Sequence, residues 1–169
     1  RNDLQNSLDL LVGGELSNQL AILNMTASKY PFSYLGVYSA CASFNESLIA
    51  LGNLIDAKKI KNGIALTSSH TEVAERQFRY PIEYGSPRLK RRTMTATGSV
   101  GVVLSTEGKI KVNKVTIGSA VNYQQTDVNN MGAVMAPGAA ECLMHHLKDF
   151  KESPDTYDLI LTGDLGRVG

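Results

Sequence analysis

Tyr34-Leu35-Gly36-Val37-Tyr38-Ser39-Ala40-Cys41-Ala42-Ser43 places a short apolar run directly before five small residues, and Phe44, Leu48, Leu51, Leu54 and Ile55 then repeat on one helical face. The run predicts a buried strand and the repeat predicts an amphipathic helix packed on a sheet. Between them stands Cys41, at the start of the helix. A thiol there meets the positive end of the helix dipole and unpaired backbone N–H groups, which favour the thiolate. The small neighbours leave room for a ligand to approach. The alternative is a buried structural cysteine, the commoner fate of that residue.

The same rhythm extends to both sides. Leu8-Asp9-Leu10-Leu11-Val12 reads as a strand stopped by Gly13-Gly14. Ser17 is the expected N-cap of a helix carrying Leu20, Leu23 and Ala27, and Tyr30-Pro31 ends that helix. Lys58, Lys59 and Lys61 are expected to close the helix after Cys41, Asn62-Gly63 to turn the chain, and Ile64-Ala65-Leu66-Thr67 to form a third strand ending at Ser68-Ser69-His70. Strand, helix, strand, helix, strand is the pattern of a largely parallel sheet covered by helices, an α/β fold. Right-handed crossovers align the carboxyl ends of such strands along one edge, where ligands bind in open α/β sheets. Gly13-Gly14, Cys41 and Ser69-His70 fall at those ends.

Glu72 to Tyr80 predicts a helix broken at Pro81, and Thr97 to Leu104 a further strand. Lys109 to Ile117 alternates polar with apolar residues, as a half-buried strand does, so a hairpin closing the sheet is expected. Asn129-Asn130-Met131-Gly132 supplies turn chemistry before a helix whose first turn contains Pro137 and which carries Ala140, Leu143, Met144 and Leu147. Asp155 to Leu161 predicts another strand. The chain opens on Arg1 and ends at Gly169 straight after that run, which predicts an internal piece of a longer polypeptide.

Composition bounds the function. A net charge of +1 and the absence of Trp argue against a nucleic-acid platform. Cys41 and Cys142 lie too far apart in sequence for a disulfide framework. No apolar stretch reaches the ~18 residues that a membrane span needs. His70 is a second candidate at the sheet edge, either as donor or base or as a satisfied loop histidine. His145 and His146 are adjacent on a helix and point apart, a spacing that suits no metal site. Arg76, Arg79, Arg88, Lys90, Arg91 and Arg92 crowd one segment, either as a carboxylate clamp or as a solvated basic loop.

Several strings resemble the stage V sporulation protein AD family, a branch of the thiolase-like superfamily. They are Leu11-Val12-Gly13-Gly14-Glu15-Leu16-Ser17-Asn18-Gln19, Ser39-Ala40-Cys41-Ala42-Ser43, Thr67-Ser68-Ser69-His70, Glu75-Arg76-Gln77-Phe78-Arg79-Tyr80-Pro81-Ile82-Glu83-Tyr84-Gly85, Asn129 to Pro137 and Tyr157 to Gly166. The resemblance implies a thiolase-like fold of two similar halves, each with a mixed, mostly parallel five-stranded sheet. Residues 1–120 would then be most of the first half and 121–169 the beginning of the second. It implies a sporulation role: binding dipicolinic acid (pyridine-2,6-dicarboxylate) and assisting its uptake into the developing spore. The family acts with membrane proteins of the same spore channel complex, peripherally on the cytoplasmic side of the spore inner membrane. No cofactor, no metal and no nucleic acid are implied; a homodimer is common in the superfamily. The expected ligand-binding residues are Cys41, His70, Arg79, Asn129 and Asn130.

In type III ketoacyl synthases a catalytic histidine follows a strand of the second half. Here the matching string, Thr162-Gly163-Asp164-Leu165, has glycine in its place. Decarboxylative condensation needs donors for a developing oxyanion, and glycine supplies no side chain. A non-catalytic binding protein is therefore the leading expectation. An acyltransferase with Cys41 as nucleophile is the alternative.

Overall fold

The computed structural model describes residues 7–78, 93–127 and 129–166. The chain divides into two compact units, one of residues 1–77 with 95–113 and the other of residues 78–94 with 114–169.

The first unit is built on one sheet. β1 (Leu10–Glu15), β2 (Ser33–Gly36), β3 (Asn62–Ser69) and β4 (Gly98–Ser105) lie in the order β2-β1-β3-β4. β1 pairs in parallel with β2 and β3, and β4 pairs antiparallel to β3, so the sheet is mixed and mostly parallel. Alternation along β1 sends Leu11 and Gly13 to one face and Val12 and Gly14 to the other. α1 (Ala21–Ala27) covers the first face, where the side chain of Leu23 packs against Gly13. α2 (Ser43–Asp56) covers the second, where Val12, Leu51 and Ala65 are sealed from solvent and Leu10, Val37, Phe44, Leu48 and Leu104 pack around them. Each large apolar side chain buried this way contributes about 1.5–3 kcal/mol. α3 (Thr71–Phe78) follows β3 directly.

Several elements differ from the sequence expectation for local reasons. β1 does not stop at Gly13-Gly14 but runs through them to Glu15. Ser17 makes no capping bond; it precedes a 3-10 turn, Asn18–Leu20, in which Gln19 and Leu20 have left-handed φ of 71° and 54°. The first backbone N–H groups of α1, from Ile22 and Leu23, are accepted instead by the Glu15 carboxylate. α2 ends at Asp56, before the lysines, and left-handed Lys58 (φ 55°) closes it as its N–H bonds the Ile55 carbonyl. Asn62-Gly63 is not a turn but the start of β3. Asn62 Oδ1 accepts the Asp9 N–H at 3.1 Å, and a Cβ at Gly63 would stand 2.5 Å from the Leu51 side chain.

Among the described residues the expected five-stranded sheet has four strands. Lys109 to Ile117 forms no strand, and Asp155 to Leu161 forms none either. An alternating pattern marks a face that wants cover, but a strand also needs a hydrogen-bonding neighbour. Among the described residues neither stretch has one, and Ile110 (92% exposed) and Leu161 (80%) stand in solvent.

The second unit is organised by α4 (Gly132–Phe150) and a 3-10 turn, Pro154–Thr156. α4 begins before the position inferred from Pro137, which lies inside the helix. The bonds from Ala133 N–H to Asn130 O and from Val134 N–H to Met131 O have already nucleated the first turn. No helix among the described residues is long and apolar enough to cross a membrane.

Candidate functional site

The carboxyl edge of the first unit's sheet gathers the sequence-predicted residues of that unit. The chain leaves β2 at Gly36, passes Val37 and Tyr38, and bends sharply at Ala40, whose φ of 48° is left-handed. Such a conformation costs a non-glycine residue about 1–2 kcal/mol. Residues Ala40–Ala42 form one 3-10 turn and α2 begins at Ser43. Ala42 N–H donates to Ser39 O at 2.9 Å, Ser39 N–H donates to Ser43 Oγ at 3.0 Å, and Ser47 Oγ donates to Ser43 O at 2.8 Å. Ser43 and Ser47 are fully buried, so these bonds fix the bend from beneath. A Cβ at Gly14 would stand 2.5 Å from Val37 O and 2.6 Å from the Ser43 Cβ, so glycine alone lets β1 support the bend this closely. Cys41 is exposed at its top, at the head of the fourteen-residue α2.

His70 follows β3 on the same edge and is exposed. β2 and β3 both flank β1, so the two strands run two strand spacings apart, about 10 Å. The His70 carbonyl accepts the Ala74 N–H at 3.0 Å, making His70 the start of α3. Arg76 is exposed in the last turn of α3. Arg79, Arg88, Lys90, Arg91 and Arg92 lie outside the described residues.

Asn129 and Asn130 belong to the second unit, half-buried in the turn before α4. Asp127 shapes that turn: its Oδ1 accepts the Asn129 N–H at 2.9 Å and its carbonyl the Asn130 N–H at 3.0 Å.

Two residues at the sheet edge were not singled out by sequence. Glu15, at the end of β1, is buried. Burial raises its pKa above the usual 4.5, while the hydrogen bonds from Ile22 and Leu23 pull the other way. Tyr34 is raised above 10.0 by burial and by the neighbouring Glu15 charge. The Tyr34 and Ser68 hydroxyls on the same sheet face are buried without a protein partner. Their neighbourhood is set by register, which pairs Glu15 with Ser68, and composition carries no trace of it.

The profile of the family described as Stage V sporulation protein AD (SpoVAD) matches residues 1–169. The chain belongs to the stage V sporulation protein AD family. Stage V sporulation protein AD of Bacillus subtilis (strain 168) is 42% identical over 171 residues, covering all of this chain and 51% of the relative. The chain thus spans about half the length of that curated protein. Two solved structures share the fold at low identity. The 3-oxoacyl-[acyl-carrier-protein] synthase III of Aquifex aeolicus VF5 aligns with a TM-score of 0.60 at 12% identity, over 89% of this chain and 52% of that one. AbyA1, a tetronic acid condensing enzyme, aligns with a TM-score of 0.61 at 16% identity, over 92% and 55%. The fold is thiolase-like.

Other chemistry in this member of the sporulation family belongs to the second unit. In the second unit, His146 Nδ1 meets Thr116 Oγ1 and its Nε2 meets the Tyr157 hydroxyl, each at 2.7 Å. Tyr157 donates to Glu152, which Lys114 also pairs. His145, by contrast, is exposed and lines a cavity of about 180 Å³ with Cys142, Glu141 and Tyr123. The adjacent histidines therefore have different surroundings, as their helical spacing implies. Among the described residues no group of three or more His, Cys, Asp or Glu side chains is placed to hold a metal ion.

Proposed function

We propose that this chain forms part of a non-catalytic sporulation protein that binds dipicolinic acid and assists its uptake into the developing spore. It would act with membrane proteins of the same channel complex on the cytoplasmic side of the spore inner membrane. The observation that supports the reading most is the exposed Cys41 bend at the head of α2, in a chain of this family. Dipicolinate is a small, flat dianion. A helix head offers positive potential to one carboxylate, and a fork-shaped guanidinium such as that of Arg79 suits the other. His70 is a further proposed contact at this edge.

Calorimetry with dipicolinate on the intact protein tests this. Cys41→Trp fills the mouth of the bend and is expected to abolish binding with the thermal transition retained; unchanged affinity contradicts the reading. Picolinate, which lacks one carboxylate, is expected to bind more weakly by about 1.5–3 kcal/mol. Equal binding of the two acids counts against a two-carboxylate clamp.

The exposed thiol also supports an acyltransferase as second reading. Gly163, where type III synthases carry histidine, weighs against it. Incubation with acyl-coenzyme A followed by intact-mass measurement separates the two, since an acyltransferase leaves a thioester on Cys41.

A further inference from the structure

We propose that Gln77 is a positioning residue that ties the loop carrying Cys41 to the loop between β1 and α1, and so sets the order of the candidate site. The inference builds on the reading of that edge as the binding site. Gln77 lies in the last turn of α3, and its side-chain amide is used at both ends. Its Oε1 accepts the backbone N–H of Asn18 at 2.8 Å, in the left-handed turn between β1 and α1. Its Nε2 donates to the Tyr38 hydroxyl at 3.0 Å, three residues before Cys41. The Asn18 side chain continues the chain of contacts by accepting the Gln19 N–H at 2.7 Å. Tyr38 leads into Ser39, whose N–H bonds Ser43 Oγ under the bend. One amide thus joins α3, the β1–α1 loop and the β2–α2 loop.

α3 can serve as the anchor because it is itself held. Glu75, one residue from the last turn's basic Arg76, is buried, and its Oε1 accepts Thr95 N–H at 3.1 Å and lies 3.2 Å from Thr95 Oγ1. Thr71 Oγ1 lies 3.0 Å from both Thr95 O and Thr95 Oγ1. The Glu-x-Gln spacing turns one residue inward to fix the helix and presents the other to the loops. An amide suits the second place because it offers an acceptor and a donor at once.

The test is the rate of iodoacetamide alkylation at Cys41 in the full chain, read by peptide mass spectrometry with Cys142, in the other unit, as internal control. Gln77→Ala and Tyr38→Phe are each expected to speed Cys41 alkylation about twofold to tenfold, the loss of one hydrogen bond's worth of order. Cys142 keeps its rate. The double variant is no faster than the faster single one, because both remove one bridge. Gln77→Glu still accepts from Asn18 and from the Tyr38 hydroxyl, and restores the native rate. An unchanged Cys41 rate in Gln77→Ala, a parallel rise at Cys142, additive effects in the double variant, or failure of Gln77→Glu to restore the rate overturns the proposal. In calorimetry Gln77→Ala is expected to weaken dipicolinate binding by a similar factor. If the native protein gives no binding heat, the functional reading fails while the alkylation result still decides the role of Gln77.

Discussion

Ile64 to Thr67 and Lys109 to Ile117 both read as strands in the sequence, yet only the first lies in one. Asn62–Ser69 has β1 on one side, β4 on the other and α2 across its face. Among the described residues Lys109 to Ile117 has no such neighbour, and its isoleucines are exposed. The contrast shows that period-two alternation reports a demand for cover, which the rest of the fold must meet. It also divides the molecule into positions where a methyl group matters greatly and positions where it matters little.

The sharpest way to break the comparison is at glycine. Gly14→Val forces carbon into the Val37 carbonyl and Ser43, and is expected to cost more than about 3 kcal/mol in urea unfolding. Gly108→Ala, whose nearest neighbour is the Ile110 carbonyl at 3.4 Å, is expected to stay within about 0.5 kcal/mol. Similar losses at the two sites would mean that 105–113 is as tightly packed as the strand ends. Next in size is cavity formation. Leu51→Ala is expected to cost about 2–5 kcal/mol, because Leu51 is fully buried against Val12 and Ala65. Ile110→Ala, at 92% exposure, is expected to cost under about 0.5 kcal/mol in the same melts.

The smallest effects are electrostatic, and they carry opposite signs in the two units. Burial raises Glu15, so the folded chain holds that proton more tightly than the unfolded one. Its contribution is present in acid and is lost as pH rises from the ordinary 4.5 through the raised value. Glu152 is lowered by hydrogen bonds from Lys114 and then Tyr157. Its contribution is present above 4.5 and is lost as pH falls through the lowered value. Urea melts from pH 3.5 to 7 are expected to lose the first slope in Glu15→Gln and the second in Glu152→Gln. Carboxyl NMR titrations placing Glu15 below Glu152 would reverse the assignment.

Much of the first unit was legible. The three parallel strands, α2 and the place of Cys41 follow from apolar runs punctuated by small residues, all local signals. What was missed depends on distant partners. The cap of α1 comes from Glu15 because the left-handed Gln19 and Leu20 carry the helix start away from Ser17. Gln77 looked like one letter in an unusual string; its meaning arises from contacts 59 and 39 residues away. Asn62-Gly63 has turn composition but serves a strand, since Leu51 demands a residue without a side chain there. At the site, Cys41 and His70 were readable because strand ends bring them to one edge. Asn129 and Asn130 were read from the residues as turn formers, and as ligand contacts only through the family resemblance.

The left-handed Ala40 has a bearing on how the chain would drift under artificial selection. A library randomised at that codon and sorted for heat resistance alone should enrich glycine, which accepts such a φ without a Cβ clash. The margin between that winner and the resident alanine would measure, in degrees of melting temperature, how much ruggedness the fold forgoes to hold its thiol aloft.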